Sequence, residues 1–430
     1  MKASRFNVFQ QFEDEILAYN SFKDSFLILE PTLHQLFEAA KTEMNFMELK
    51  MIHPSFYEAL FQNGFVVPEE EDELAKVVSI RQKTDFNNDH FRLIINPTMN
   101  CNFKCWYCYE THIKESRMET EIVQKVKRLI DNIFEDNRIK TFELSWFGGE
   151  PLLYYHKIVD PILTYATQQA KISGKILQSD FTTNGFLINQ EMLDSMATKD
   201  VAFQITLDGH REKHNKVRYV NETRGSYDEI LSNIILLCKN GFYVTLRINY
   251  TSETLVDVQK IADDLSDLPF KDRKFLAIDF QQVWQSKSED LVERIRIVTN
   301  YFRTNDFRIS SKLGNGMTGS CYADKLNEAV INYNGDVFKC TARDFTEDNR
   351  EGILTDDGII LWNNKKEERL RLKLNNKPCQ ECAILPICGG GCSQIGLDHA
   401  GEDYCVHNFD INSKHRLVKL RFLDTMDVLN

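Results

Sequence analysis

The chain has 430 residues, of which 42% are hydrophobic and 27% are charged. Because this length exceeds what one hydrophobic core usually supports, we expect a globular protein of two or three domains. The formal net charge of −12 argues against nucleic acid as a partner. The sequence has no apolar run of about 18 residues and no apolar signal segment near Met1, so we expect a cytoplasmic protein without a membrane partner.

Residues 1–88 are predicted to form a small domain of their own. Three strand-like segments come first, at residues 6–12, 15–19 and 25–29. Helical patterns follow around Leu33 and around Phe56. Three strands and then helices indicate a winged-helix-like module.

From residue 89 to residue 308, strand-like segments alternate with amphipathic helical segments. The predicted strands are residues 91–95, 141–146, 176–182, 201–207, 243–249 and 275–281. Six βα units in a row predict a parallel sheet, because parallel strands need crossover helices between them. In such sheets, functional side chains gather where the strands end.

The eleven cysteines are distributed unevenly. Without a secretion signal, a disulfide framework is disfavoured, because a reducing cytosol keeps thiols free. Cys238 follows apolar residues at helical spacing, in a segment that begins with the capping-box sequence Ser226–Glu229 and ends at Gly241. We therefore predict that Cys238 is a core residue. The other ten cysteines are candidate metal ligands.

The first predicted strand leads into Cys101, Cys105 and Cys108. A four-iron cluster normally takes four thiolates, so three thiolates leave one iron open to a substrate or cofactor. Zinc sites usually use paired cysteines or sets of Cys and His, and we expect no fourth ligand from this loop. This motif, with Tyr107 before its last cysteine, resembles the signature of radical S-adenosylmethionine (AdoMet) enzymes.

The resemblance extends to loops after the later strands. Gly148, Gly149, Glu150 and Pro151 match the family element whose backbone and acid receive the amino group of AdoMet. Further positions resemble family segments that line the AdoMet pocket, namely Thr183, Asn184, Asp208, Arg218 and Asn249. The resemblance implies that Arg218 meets the AdoMet carboxylate and Asn249 its ribose. It also implies an α/β fold with a partial (β/α)6 barrel of the TIM type.

The last third of the chain contains a second cysteine pattern, C-x13-G-x4-C, then C-x2-C-x5-C-x3-C, then C. Its members are Cys321, Cys340, Cys379, Cys382, Cys388, Cys392 and Cys405. Seven thiolates without hydrophobic periodicity between them indicate a metal-dependent fold, and the residues alone fit either iron or zinc. The complete pattern matches the SPASM extension of peptide-modifying radical AdoMet enzymes.

This second resemblance implies two auxiliary clusters in a domain spanning residues 309–430. One cluster would use Cys379, Cys382, Cys388 and Cys405, and the other would use Cys321, Cys340 and Cys392. With the AdoMet cluster, the implied cofactors are three 4Fe–4S clusters and AdoMet. The second set lacks a fourth cysteine, because residues 311–320 contain none.

Residues 1–88 look like the peptide-recognition element found in many enzymes that mature ribosomally made peptides. In that family a leader peptide adds as an extra strand to an exposed sheet edge, where main-chain hydrogen bonds supply affinity. The candidate edge here is residues 26–29. A structural cap or a DNA-binding wing is the alternative for this region.

The combined resemblance implies a radical AdoMet maturase that acts on a precursor peptide with a leader. A flavodoxin or ferredoxin would reduce the first cluster, and AdoMet would then yield a 5′-deoxyadenosyl radical that abstracts hydrogen from the peptide. The product would carry an internal thioether, C–C or C–O crosslink. Protein residues mostly position and shield such chemistry.

Two alternatives remain open. A sulfatase-maturating enzyme would form formylglycine, but those enzymes carry an acidic residue just after the cysteine matching Cys340, where this chain has Thr341. A metal-binding regulator with a winged-helix front would explain residues 1–88 and the cysteines. It would leave the Gly-Gly-Glu-Pro loop and six βα units without a purpose.

Overall fold

The computed structural model describes residues 1–221, 223–286, 291–310, 316–399 and 401–429. The contacts between residues divide the chain into two compact units. Unit 1 comprises Met1–Asn87, Ser311–Leu326 and Asn364–Asn430, and unit 2 comprises Asn88–Ser310 and Asn327–Asn363. Within the described ranges, no helix combines the length and the apolar composition that a membrane crossing requires.

Unit 2 is built on an eleven-stranded sheet, most of which is parallel. Six parallel strands lie side by side in the sheet in the order of the chain, namely His90–Ile95, Thr141–Trp146, Ile176–Thr183, Val201–Leu207, Tyr243–Tyr250 and Leu276–Gln282, and a separate antiparallel pair, Tyr219–Asn221 and Arg224–Gly225, comes between the fourth and fifth along the chain. A short strand, Arg308–Ile309, pairs in parallel with the last of the six. Because each strand is added on the same side of the previous one, the sheet curves as in a barrel. The predicted α/β partial barrel is confirmed, and each predicted strand end lies within one residue of the observed end.

The longer connections of unit 2 are helical. The helices are Thr120–Glu135, Asp160–Ser173, Gln190–Met196, Arg211–Val217, Tyr227–Lys239, Lys260–Asp264 and Val292–Thr304. In the first of them Val123, Val126, Ile130 and Ile133 are buried, and their spacing of three or four residues places them on one face. This face packs into the apolar core that also contains the strands. Cys238 is fully buried in the same core, as predicted.

The sheet of unit 2 continues beyond the predicted barrel. Strand Glu328–Ile331 pairs in parallel with His90–Ile95, and three antiparallel strands follow, namely Asp336–Phe338, Gly352–Leu354 and Ile360–Trp362. Sequence analysis missed this extension. The signal was the Asn334-Gly335 turn between two short apolar runs, which is typical of a hairpin.

Unit 1 contains the predicted three-stranded sheet, with strands Asn7–Phe12, Glu15–Asn20 and Ser25–Leu29 in antiparallel order. The strands Lys2–Ala3 and Val66–Val67 form a separate pair. The helices of this unit are Pro31–Thr42, Phe46–Ile52, Pro54–Gln62, Glu73–Asp85, Asn364–Asn375, Lys377–Gln380, Leu385–Cys388, Ser393–Asp398 and Ile411–Leu429.

Both faces of the three-stranded sheet are covered. Ala18 and Leu29 belong to the core formed with the first three helices, whereas Tyr19 packs with Ile384 and Val418 on the other face. A sheet with two apolar faces needs two covering layers, and here the C-terminal region supplies the second layer. The predicted domains 1–88, 89–308 and 309–430 stay a prediction, because the contacts group the N-terminal region with most of the C-terminal region.

Unit 2 also contains a buried ion pair between Glu328 and Lys339. Both side chains are 0% exposed, and Lys339 Nζ lies 3.3 Å from Glu328 Oε2. Burial raises the pKa of Glu328 to about 8, although Lys339 acts in the opposite direction. Burial therefore disfavours the ionised form of Glu328, and the charge of Lys339 partly offsets this effect.

Replacing Lys339 with Met should destabilise unit 2 by about 3–5 kcal/mol near pH 8, because it removes the cation that offsets the burial of Glu328, raises the folded pKa of that carboxyl further, and so makes folding depend on proton uptake at that pH. The loss should shrink near pH 5.5, because a carboxyl group with a raised folded pKa favours the folded state as it protonates. Thermal unfolding at both pH values measures this. The double variant E328Q/K339M should recover most of the stability near pH 8, and equal losses at both pH values would contradict the prediction.

Candidate functional site

The three cysteines of the first motif lie on the loop that follows strand His90–Ile95. Cys101 and Cys105 are partly buried against the core of unit 2, whereas Cys108 is exposed. Burial and the Glu150 carboxylate raise the pKa of Cys101 to about 12. Although Cys108 as a whole residue is exposed, partial removal of its thiol from water, with a smaller effect of Glu110, raises the pKa of Cys108 to about 11. Metal binding requires thiolates, so bound iron would supply the positive charge that favours them here.

A histidine also lies beside this loop. His112 Nε2 is 3.6 Å from Cys108 Sγ. Burial lowers the pKa of His112, which favours the neutral imidazole that binds metals. The expectation that the loop offers no further ligand atom near its cysteines is therefore wrong.

The Gly-Gly-Glu-Pro loop is held against the cysteine loop by backbone contacts. Glu150 N donates to Asn100 O at 2.9 Å, and a Cβ on Gly149 would lie 2.2 Å from that same oxygen. Gly149 also has a φ of +51°, in the left-handed region that favours glycine. A Cβ on Gly148 would meet Asn96 at 2.6 Å. The two glycines thus allow protein segments to approach each other, and their predicted contact with AdoMet stays a prediction.

The Glu150 carboxylate is only 1% exposed and accepts three hydrogen bonds. The donors are Leu152 N at 3.0 Å, Thr183 Oγ1 at 2.7 Å and Asn184 N at 2.8 Å. Pro151 begins the short 3-10 helix Pro151–Tyr154 that presents the first donor. Burial raises the pKa of Glu150 despite these bonds. Three uncharged donors orient the carboxylate without neutralising it, so an ammonium group would suit the remaining charge.

Two residues that sequence analysis missed complete this contact region. Asn102 Oδ1 accepts a hydrogen bond from Asn184 Nδ2 at 2.7 Å, and Glu110 Oε2 accepts one from Gly149 N at 2.7 Å. Burial raises the pKa of Glu110 to about 7. The only sequence signal for either residue is its position beside a motif cysteine.

Tyr107 is the centre of a second polar group. Its hydroxyl donates to Asp208 Oδ1 at 2.6 Å and accepts from Arg218 Nη2 at 2.8 Å and Asn249 Nδ2 at 3.0 Å. Arg218 Nε also donates to Asp208 Oδ2 at 2.6 Å. Burial disfavours the charge of Arg218, but Asp208 and Tyr107 beside it raise its pKa well above the usual value. The structure therefore brings together four predicted residues from distant parts of the chain.

His214, which sequence analysis did not select, hydrogen-bonds to the backbone that carries Asp208. His214 Nδ1 accepts from Asp208 N at 3.1 Å, and His214 Nε2 lies 3.0 Å from Ser226 Oγ. Ser226 Oγ in turn donates to Arg218 O at 3.0 Å. Burial lowers the pKa of His214 to about 3, so the imidazole is neutral. The predicted capping box is wrong, because the Ser226 side chain makes these contacts and no cap bond.

In unit 1, four cysteines line one cavity. They are Cys379, Cys382, Cys388 and Cys405, the set that the family resemblance assigns to one auxiliary cluster. Burial, and then each of the three other thiols, raises the pKa of Cys388 to about 11. Asn376 Nδ2 lies 3.0 Å from Cys379 Sγ and donates to Tyr404 O at 2.7 Å. The residue types fit an iron–sulfur cluster, because four thiols line one cavity and a donor already faces one sulfur.

The remaining cysteines are less informative. Cys321 is exposed, and Cys340 and Cys392 are partly buried. Residues 311–315, where a further ligand was considered, lie outside the described residues. In the described part of the chain, no group of three or more His, Cys, Asp or Glu side chains is arranged to hold a metal ion as it stands. The set Cys321, Cys340 and Cys392 stays a prediction.

Comparison with known proteins finds a family model and relatives that match part of the chain. Residues 95–265 match the Radical SAM superfamily model. A cysteine-type anaerobic sulfatase-maturating enzyme of Clostridium novyi (strain NT) is 23% identical over 343 residues, which cover 70% of this chain and 87% of that protein.

Two solved structures share the fold. Native anSMEcpe with bound AdoMet has a TM-score of 0.60 and 19% identity, and covers 78% of this chain and 98% of its own. Streptococcus suis SuiB bound to precursor peptide SuiA has a TM-score of 0.51 and 17% identity, and covers 94% of this chain and 98% of its own. The family model and these likenesses agree with the motifs and the parallel sheet. The chain therefore contains a region that matches the Radical SAM superfamily, shares its fold with these solved structures, and has an additional C-terminal region.

Proposed function

We propose that this enzyme is a peptide maturase that forms an oxidative crosslink within a ribosomally made precursor peptide. The crosslink would be a thioether, C–C or C–O bond. The observation that carries the proposal is the combination of two features in one chain. Polar groups gather around Glu150 and Tyr107 on loops that follow strands of the unit 2 sheet, and in the described residues an edge strand of the unit 1 sheet pairs on one side only.

The chain's own residues would bind AdoMet as follows. Glu150 would accept the ammonium group, because its carboxylate is oriented by three uncharged donors. Arg218 has five N–H donors, of which Asp208 and Tyr107 accept two, so its guanidinium would also meet the AdoMet carboxylate. Asn249 would contact the ribose. A cluster bound by Cys101, Cys105 and Cys108 would supply an electron, and bound AdoMet would supply a 5′-deoxyadenosyl radical.

Unit 1 would hold an auxiliary 4Fe–4S cluster in the four-cysteine cavity. Cys321, Cys340 and Cys392 would ligate another, with a fourth ligand that is not assigned. An oxidative crosslink removes electrons from the peptide, so the enzyme needs acceptors besides its first cluster. A flavodoxin-type or ferredoxin-type protein is the proposed external reductant.

The leader of the precursor would bind at strand Ser25–Leu29. In the described part of the chain this strand pairs on one side only, with Glu15–Asn20. Ile28 is 45% exposed there, whereas Leu29 is buried and Phe26 stacks on Tyr19 with ring centres 4.4 Å apart. The likeness to peptide-bound SuiB supports this role, because it leaves out 6% of 430 residues, about 26, and so includes much of Met1–Asn87.

A sulfatase-maturating activity is the second candidate. The Clostridium novyi relative carries that name, and Asp344 provides an acid close to Cys340 in sequence. Asp344 Oδ1 accepts a hydrogen bond from Thr111 N at 2.9 Å, which ties it to the segment after the cysteine loop. The two activities differ in product, since formylglycine formation joins no two residues of the substrate.

The intact mass of a short peptide encoded beside this gene, after anaerobic co-expression with the enzyme, tests the proposal. Loss of pairs of hydrogens should occur, and fragmentation should locate a bond between two residues of the peptide. Replacement of Cys101, Cys105 and Cys108 together by Ala should abolish the mass change and 5′-deoxyadenosine release, while iron remains in unit 1. An unchanged peptide mass with active AdoMet cleavage would favour the sulfatase-type activity.

Tyr107→Phe should weaken AdoMet binding about fivefold to tenfold, because it removes a hydroxyl that joins Asp208, Arg218 and Asn249, and one such bond contributes about 1 kcal/mol. Equilibrium binding of AdoMet to the anaerobically reconstituted protein measures this. Tyr165→Phe is the matched control, since its hydroxyl bonds to Asp131 between two helices instead. Equal affinities of the two variants would contradict the assigned role of Tyr107.

Ile28→Asp should weaken binding of the precursor by tenfold or more without changing AdoMet cleavage in the absence of peptide, because it places a charge on the proposed edge. Fluorescence anisotropy of a labelled leader peptide measures the affinity. Met51→Asp is the control, since Met51 is 76% exposed on helix Phe46–Ile52 of the same region. The edge is not the binding site if Ile28→Asp and Met51→Asp leave the same peptide affinity.

A further inference from the structure

We propose that Arg81 is a positioning residue of the cysteine-rich site, and that its buried positive charge raises the reduction potential of a cluster held by Cys379, Cys382, Cys388 and Cys405. Arg81 belongs to helix Glu73–Asp85 of the N-terminal region. The inference rests on the proposed cluster in this cavity. It gives the N-terminal region an electronic role beside peptide recognition.

The Arg81 guanidinium lies against the loop between two of the motif cysteines. A Cβ on Gly389, the residue after Cys388, would lie 2.8 Å from Arg81 Cζ. Arg81 Nη2 donates to Pro386 O at 2.8 Å, and Nη1 donates to Gly319 O. The side chain is 2% exposed. Position 389 favours glycine, because its φ is +66° and the Arg81 guanidinium occupies the space that a side chain would fill.

The charge of Arg81 is stabilised by a buried network. Burial lowers its pKa, but Asp85, Cys388 and Asp324 favour the charged form. Lys373 Nζ lies 2.6 Å from Asp324 Oδ2 and 3.4 Å from Asp85 Oδ2. The charges of Arg81 and Lys373 therefore balance those of Asp85 and Asp324. The Arg81 guanidinium is the charged group that lies against Gly389.

The same loop is fixed by a second backbone approach. A Cβ on Gly390 would lie 2.2 Å from Lys373 O. Helix Asn364–Asn375, which carries Lys373, therefore holds the loop in place beside the charge network. The distance between the Arg81 charge and the cysteine loop is thus set by packing on both sides.

The direction of the effect follows from electrostatics. Reduction adds an electron to a cluster, and a fixed positive charge in a poorly solvated site stabilises the added negative charge. The Asn376 side chain, which faces Cys379 Sγ, acts in the same direction. An exposed cation contributes much less, because water and salt screen its charge.

An EPR-monitored redox titration of the full-length reconstituted enzyme tests the inference. The redox couple that disappears in Cys405→Ala identifies the cluster. At the wild-type midpoint potential, R81Q should lower the ratio of reduced to oxidised cluster about tenfold, which equals ~59 mV for a one-electron couple. R81K keeps the charge and should stay close to the wild type. Asp324→Asn removes a neighbouring negative charge and should shift the potential upwards, which keeps the test valid if R81Q folds poorly.

Arg5→Gln is the matched control. Arg5 Nη2 donates to Gln380 O at 2.5 Å, so it also contacts the cysteine segment, but its side chain is exposed. Its potential should match the wild type. Unmoved potentials in both R81Q and Asp324→Asn, or equal shifts in R81Q and R81K, would overturn the role of Arg81 while the cluster stands. A wild-type enzyme with no couple that depends on Cys405 would overturn the cluster assignment itself.

Discussion

The contact between the Gly149-Glu150 backbone and the carbonyl of Asn100 is the constraint on which the rest of the candidate site depends. It joins the first two strand-to-helix loops at a distance that leaves no room for a Cβ on Gly149. With this contact made, the Glu150 carboxylate is buried where Thr183 and Asn184 donate to it. The cysteine loop is then held over the ends of three adjacent strands.

The two candidate cofactor sites share an electrostatic character. Near the first site, loss of contact with water raises the pKa values of the Cys101 and Cys108 thiols and of the Glu150 carboxyl, so each of these groups resists ionisation in the protein alone. In unit 1, mutual proximity and burial do the same for Cys388. A positively charged occupant, such as iron or an ammonium group, would lower these pKa values and favour the ionised thiols and carboxyl group. Arg218 and Arg81 are the fixed cations that the protein itself provides.

Unit 1 brings together segments from the two ends of the chain. The three-stranded sheet needs apolar cover on both faces, and the residues around Ile384 and Val418 provide it on one of them. The same segment carries the cysteines of the cavity, and Ser21 Oγ donates to Ala383 O at 2.5 Å. The proposed peptide-binding sheet and the proposed cluster cavity thus form one packed unit. This arrangement explains why a residue of the N-terminal region, Arg81, lies beside Cys388.

The local pattern of the sequence predicted the elements well, because alternating apolar residues and helical periodicity depend on near neighbours in the chain. The six barrel strands and the burial of Cys238 followed from such patterns. The capping box at Ser226 failed for the opposite reason. The Ser226 hydroxyl could have formed a local cap, but it bonds to His214 and to the backbone of Arg218 instead.

The sequence by itself determined the order of the six barrel strands, the cysteine motifs and the resemblance to radical AdoMet enzymes, since each is a matter of residue type and spacing. Only the tertiary structure decided that Tyr107 joins Asp208, Arg218 and Asn249, because these residues are up to 142 positions apart. It alone also showed that Gly389 makes room for Arg81, and that Glu328 extends the barrel sheet. Such contacts form when the chain packs, and the spacing of residues along the sequence does not reveal which distant residues will meet.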